Sequence, residues 1–226
     1  MKADCKRMVT DTHGCIPVTV LTIGMMDNNC FVVSDGNAEG APALVVDPAG
    51  DAQAIVRALG WRKLEYIVCT HDHNDHLVAL PELVKLTGAK VIAHKLDSKI
   101  IEQGQGGYFG DWDAVAPVAV DRKVQDGDEV KLGSLTFKII HTPGHTKGGI
   151  CLYLPARDGK PGLLFSGDTL FCGATGRVDF EGGSAREMRA SLRTKLAPLP
   201  DGTIVYPGHE SLTTIGRERR RVIEAF

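Results

Sequence analysis

The chain has 226 residues, 43% apolar and 24% charged, with a formal charge of −2. That balance suits a globular protein with a core large enough to need no staples, and it excludes a general attraction to nucleic acid or anionic membrane. The opening MKADCKRMVTDTHGC lacks the apolar segment of a secretory signal, and the six cysteines are scattered with no CxxC pair. Reduced thiols, a cytoplasmic location and no membrane span are therefore expected.

His13 falls in an N-terminal segment expected to be mobile. Val18 to Ile23, Asn29 to Val33 and Ala43 to Val46 are β-branched or apolar runs separated by turn-rich stretches such as SDGNAEGAP, so they read as antiparallel strands. Asp51 to Leu59 has helical spacing and stops at Gly60. Leu64 to Cys69 is a strand, Leu77 to Leu86 a helix whose regular part Pro81 opens and which Gly88 closes, Lys90 to Ala93 a strand and Leu96 to Gln103 a helix. The stretch QGQGGYFGDWDAVAP is aperiodic and reads as a long loop, with Tyr108, Phe109 and Trp112 as a roof or an anchor.

A second half follows. Glu129 to Leu132, Leu135 to Ile140, Gly149 to Leu154 and Gly162 to Phe165 read as strands; Ser184 and Glu187 form a capping box opening a helix with Met188, Leu192 and Leu196 on one face. Thr203 to Tyr206 is the last strand and Thr214 to Phe226 a closing helix. Strands precede helices in each half, which predicts an α+β protein: one domain over 1–226, halves of about 1–125 and 126–226, and mixed sheets packed face to face with helices outside.

The chemistry concentrates in CTHDHNDH, residues 69–76, directly after an apolar strand. In an extended segment residues 71 and 73 point the same way, so both imidazoles can meet one ion. Asp75 and His76 lie where the chain turns towards a helix and can face a neighbouring ion. Three later strand ends each add one candidate: His145 in HTPGHT, Asp168 in FSGDTLF and His209 in YPGHES, each beside a glycine that permits close approach. A lone histidine after a strand is usually structural; four segments with the same layout point to a metal site. His94 and His141 also follow strands but read as core or rim histidines.

The order THxHxDH, TPGHT, GDTLF and PGH resembles the metallo-β-lactamase superfamily. More narrowly, DGDEVKLGSLTFKIIHTPGHTKGG, GDTLFCGATGRVDFEGG and PGHESLTTIGRERR resemble its short glyoxalase II-like hydrolases. The resemblance implies an αβ/βα four-layer sandwich with metals at one edge. His71, His73 and His145 would hold one ion, Asp75, His76 and His209 a second, and Asp168 would bridge them. Zinc suits this set, with iron or manganese as alternatives. Asp47, in LVVDPAG, would steady a ligating imidazole from behind, its bland alternative being a turn aspartate. Arg177 would meet a substrate carboxylate, or else pair with Asp179 or Glu181 at the surface.

The expected reaction is hydrolysis of a small-molecule substrate, a thioester above others, by water activated between two dications, with Asp75 orienting that water. A mononuclear iron persulfide dioxygenase and a lactonase are the alternatives. RERRR at 217–221 reads as a solvated helix face, so no nucleic-acid partner is expected.

Overall fold

The structure, a computed structural model, describes residues 5–24, 26–107 and 111–226. Tyr108 and Phe109 lie outside the described residues, as does the side chain of Trp112. Strands β1 (Cys5–Asp11), β2 (Val18–Ile23), β3 (Asn28–Ser34), β4 (Pro42–Val46), β5 (Lys63–Val68), β6 (Lys90–His94) and β7 (Arg122–Val124) form a seven-stranded sheet in sequence order. Its first four strands pair antiparallel and the rest parallel. Strands β8 (Glu129–Leu132), β9 (Leu135–His141), β10 (Ile150–Leu154), β11 (Leu163–Gly167), β12 (Ile204–Pro207) and β13 (Thr213–Thr214) form a six-stranded sheet in which β11 and β12 are the parallel pair.

Helices cover the outer faces. Helices α1 (Ala52–Leu59), α2 (Leu80–Thr87) and α3 (Ser98–Gln103) belong to the first half. In the second, α4 (Ala185–Ser191) runs into π-helical turns to Leu196, and α5 (Ile215–Glu218) does the same to Ile223. Local chemistry sets the ends: the Asp51 carboxylate accepts from Ala54 N at 2.9 Å and Gly60, at φ 58°, stops α1. Ser184 caps α4 by accepting from Glu187 N.

Three apolar layers hold the stack together. Leu21, Val32, Val45 and Ile67 meet Ile55 and Leu80 between the first sheet and its helices. Phe31, Val46 and Val68 meet Phe137, Phe165 and Tyr206 between the sheets, with Phe31 ring centroids 5.3 Å from Phe165 and 5.6 Å from Tyr206. Leu164 and Val205 meet Met188, Leu192 and Ile223 outside the second sheet. The order helix, sheet, sheet, helix is the expected αβ/βα sandwich, and burying each large apolar side chain contributes about 1.5–3 kcal/mol to it.

Some local expectations need correction. The N-terminal segment forms β1, whose Lys6 to Thr10 are exposed on both faces; with neither face packed, the period-two pattern is missing, and pairing with β2 holds the strand. A 3-10 turn over Asn74–His76 delays α2 to Leu80, and Thr213–Thr214 adds a strand before the last helix. The short β7 lies between the long loop and Glu129, in a stretch to which the sequence reading assigns no element.

The register decides where the functional loops emerge. Parallel pairing sets Val46 beside Val68 and Gly167 beside Pro207. Asp47 therefore leaves its sheet alongside the Thr70–His71 segment, and Asp168 leaves beside Gly208–His209. Ile150 N donates to Thr70 O at 2.9 Å, tying the two sheets at this edge.

Candidate metal centre

The loop after β5 is extended through His73 (φ −70°, ψ 140°) before the 3-10 turn swings Asp75 and His76 inwards. His145 follows β9, Asp168 follows β11, and His209 follows β12. Non-glycine residues at positive φ mark the loop after β4, with Asp47 at 51°, and the loop after β12, with Glu210 at 66°, a backbone strain that surrounding contacts sustain. Three imidazoles meet first: one ring nitrogen each from His71, His73 and His145 lies within 4.8 Å of the others. Asp75, His76 and His209 form a second group on the same criterion, and Asp47, His71 and His76 a third. The third differs from the other two because both Asp47 oxygens already accept hydrogen bonds from Thr70, through N and Oγ1, each at 2.7 Å.

Proton accounting shows which ring atoms remain free. The hydroxyl proton of Thr70 goes to Asp47, so its oxygen accepts from His71 Nδ1 at 2.9 Å and His71 Nε2 carries a lone pair. That Nε2 is buried and has no hydrogen-bond partner. His145 Nδ1 donates to Arg177 O at 2.7 Å, and His209 Nδ1 donates to Met26 O at 3.0 Å. His76 Nδ1 donates to Asp47 Oδ2 at 3.2 Å. Each of these rings is fixed from behind by an acceptor, so its Nε2 faces the cleft, where it takes up either a cation or a proton.

These nitrogens converge on one another, each close pair needing a proton or a cation between its atoms. His73 Nδ1 and His145 Nε2 are 2.8 Å apart, and the Nε2 atoms of His76 and His209 are 3.2 Å apart. Asp168 sits between the groups, with Oδ1 3.3 Å from His76 Nε2 and Oδ2 3.4 Å from His145 Nε2. Its Oδ1 is buried without a hydrogen-bond partner. Asp75 Oδ2 lies 3.6 Å from His76 Nε2 and 3.5 Å from His209 Nε2. Ring nitrogens and carboxylate oxygens gathered this closely are costly unless protons or cations join them, and the buried His71 Nε2 and Asp168 Oδ1 have neither, so this donor set fits metal ions.

The titration pattern agrees. Burial opposes a charge on His76, yet the Asp168 and Asp75 carboxylates beside it outweigh burial and hold it protonated well above the ordinary histidine range. Burial also opposes the charge on Asp168, but His76 and its neighbours keep that carboxyl low. Asp75 is held low in the same way, against burial, by His76 and by hydrogen bonds from His209 and Asn28. His71 and His73 go the other way: burial first, then the neighbouring imidazoles, depress them, His73 to about 4. In the absence of a cation, a proton is held where the second ion would sit.

Asn28, Asn29 and Thr70 escape the sequence reading. Asn28 Nδ2 donates to Asp75 Oδ2 at 2.8 Å, while Asn29 Nδ2 donates to Pro207 O at 2.9 Å and Glu210 O at 2.8 Å, pinning the His209 loop to the first sheet. The paired amides interrupting an apolar strand are the only signal the sequence carries. Arg177 forms a bidentate pair with Asp179 at 2.8 and 2.9 Å, and its guanidinium lies 3.9 Å from the Phe180 ring centroid. Phe180 in turn stands edge-on to His73 at 5.8 Å, and Phe171 edge-on to His209 at 5.9 Å. His94 and His141 stack on each other at 4.0 Å, His94 buried and His141 half-buried, and all six cysteines are free thiols. No helix among the described residues is long and apolar enough to cross a membrane.

Comparisons with known proteins place this geometry. The sequence model described as Metallo-beta-lactamase superfamily matches residues 23–209. The hydroxyacylglutathione hydrolase GloC of Haemophilus influenzae is 32% identical over 211 residues, covering 90% of this chain and 95% of that protein. Among solved structures, BLEG-1 B3 metallo-beta-lactamase superposes with a TM-score of 0.79 at 29% identity, covering 90% of this chain and 96% of its own. TTHA1623 in a di-iron-bound form gives 0.73 at 30%, covering 89% and 97%. The fold, the loop edge and the matched span agree, and the chain belongs to the metallo-β-lactamase superfamily, whose members are metal-dependent hydrolases.

Proposed function

We propose that this chain is a dinuclear metal-dependent hydrolase that cleaves a small-molecule thioester. His71, His73 and His145 would hold one ion, Asp75, His76 and His209 the other, and Asp168 would serve both. The observation that carries this reading is Asp168, which turns one carboxylate oxygen towards each group from a buried position. When bound, the ion pair, zinc by preference, supplies activation of water at neutral pH and electrostatic stabilisation of an oxyanion.

The chain's own residues do the rest. Asp75 is held anionic by its neighbours, so it is a weak base but a good acceptor, suited to orienting water through hydrogen bonding. Asn28 fixes that carboxylate through Oδ2. Phe171 and Phe180 bound the histidine cluster with apolar surface, which favours an acyl group and keeps bulk water away. Arg177, beside Phe180, offers a cation for an anionic part of the substrate. The likeness to a hydroxyacylglutathione hydrolase supports a thioester over a lactone.

A second reading, oxidation of a persulfide at a single iron, draws on the all-imidazole first group and on the likeness to ETHE1 from Myxococcus xanthus, 28% identical with a TM-score of 0.66. Elemental analysis of protein purified without added metal, with a thioester panel and an oxygen electrode, tests both. Two zinc ions per chain and thiol release support hydrolysis; one iron with oxygen uptake overturns it. Asp168→Asn is expected to lose metal and to slow thioester turnover about a hundredfold or more; unchanged turnover removes the bridging role.

A further inference from the structure

We propose that Asp97, a residue of the first half, is the positioning residue that locks the His145 loop of the second half into ligating geometry. This rests on the reading of His145 as a metal ligand. Asp97 occupies the N-cap place of α3, where an aspartate ordinarily accepts from its own helix and contributes about 1 kcal/mol. Here it makes no cap hydrogen bond. Its carboxylate instead leaves its own helix and reaches across the molecule. Oδ2 accepts from Thr146 Oγ1 at 2.7 Å and Oδ1 accepts from Gly148 N at 2.6 Å, partners 49 and 51 residues away.

Both contacts are buried, Asp97 being 2% and Thr146 3% exposed. Gly148 shows how tightly the loop is drawn in: a Cβ there would stand 2.5 Å from Asp97 Cγ and 2.7 Å from Asp97 N. Within the loop, Gly144 N donates to Thr146 O at 3.0 Å, closing a turn around His145. The remaining ring nitrogen of His145 is held by Arg177 O. His145 is thus fixed at the ring by the second half and at the backbone by the first. A charged acceptor taking two hydrogen bonds is stronger than a neutral one, and few other side chains offer two such oxygens at this spacing.

The test is zinc affinity by chelator competition, read alongside the thermal midpoint of the metal-free protein. Asp97→Ala removes both acceptors, whereas an asparagine would still accept from Gly148 N while donating to the Thr146 hydroxyl. Asp97→Ala is expected to weaken one of the two zinc equivalents about tenfold. Thr146→Val, which removes one of the two bonds, is expected to weaken the same equivalent by a smaller factor, and the double variant no more than Asp97→Ala alone. If Asp97→Ala does not fold, Thr146→Val carries the measurement. Wild-type affinity in either folded variant overturns the proposal, even with a lowered midpoint, because a purely structural contact moves stability alone. His145→Ala separates the two levels: loss of one equivalent upholds the ligand reading, and retention of both overturns that reading and this proposal with it.

Discussion

His76 Nε2 lies 3.3 Å from Asp168 Oδ1, with His76 fully buried and Asp168 9% exposed. Without metal this contact holds a proton; under the proposed function both atoms would serve the cation instead. The metal-free stability profile follows from the signs of the shifts. His76 is raised above its ordinary 6.5, so its contribution is full below that pH and is lost as pH rises through the elevated folded value. His71 and His73 are depressed, so the unfolded chain takes up protons first and stability falls as pH drops below 6.5. The metal-free thermal midpoint is expected to peak near that value and decline on both sides. Zinc should stabilise increasingly towards alkaline pH, since it displaces the His76 proton. Scanning calorimetry from about pH 5 to pH 9 checks this; a metal-free midpoint still rising above neutrality contradicts it.

Thr70 relays between Asp47 and His71 through one oxygen, donating at 2.7 Å and accepting at 2.9 Å. Thr70→Val keeps the shape but removes both, leaving His71 Nδ1 unpaired and Asp47 Oδ2 with the longer His76 contact alone. Metal affinity is expected to fall about 10–100-fold, and the metal-free protein to lose about 1–3 kcal/mol. Thr70→Ser restores the hydroxyl and should recover most of the affinity. Equal affinities for the valine and serine variants refute the relay.

The contrast between Thr70 and His71 shows what the sequence carries. The candidate ligands are legible because each follows a strand-length apolar run and because histidine and aspartate crowd there without a structural need. Thr70 is not, since a threonine ending a β-branched strand is ordinary on propensity alone. Asn28 is hidden for another reason: its partner Asp75 is 47 residues away, and only the register of β3 brings them together. The sandwich is legible from strand-length apolar runs bounded by turns, as in β3, buried at every position, whereas β1, exposed from Lys6 to Thr10, offers no such run. Patterns set by burial show in sequence; those set by contact between distant loops do not.

Gly208 sits against the second group without room for a side chain. A Cβ would stand 2.6 Å from His76 Cε1 and would overlap Asp168 Oδ1. The loop has little freedom to retreat, because Gly208 N donates to Gly167 O at 2.9 Å and Asn29 N donates to Gly208 O at 2.7 Å. Gly208→Ala is expected to cost about 1–3 kcal/mol by overpacking and to displace the second ion before the first. Gly202→Ala, with nothing within 4 Å, is the neutral control. Full metal content and an unchanged midpoint in Gly208→Ala contradict the prediction.

Arg177 contributes to the site twice, and the two contributions separate. Its backbone carbonyl holds His145 Nδ1, which any side-chain substitution preserves. Its guanidinium is 61% exposed and paired with Asp179, an arrangement worth no more than about 1 kcal/mol of stability. Arg177→Ala should therefore keep metal content and thermal midpoint while removing a cation beside Phe180. With an anionic acyl thioester, KM is expected to rise about tenfold with kcat within about twofold, the pattern of lost ground-state binding. A neutral thioester should show no such change. An equal effect on both substrates, or none on either, leaves Arg177 as a surface partner of Asp179 and moves the search for the anion contact elsewhere on the cleft.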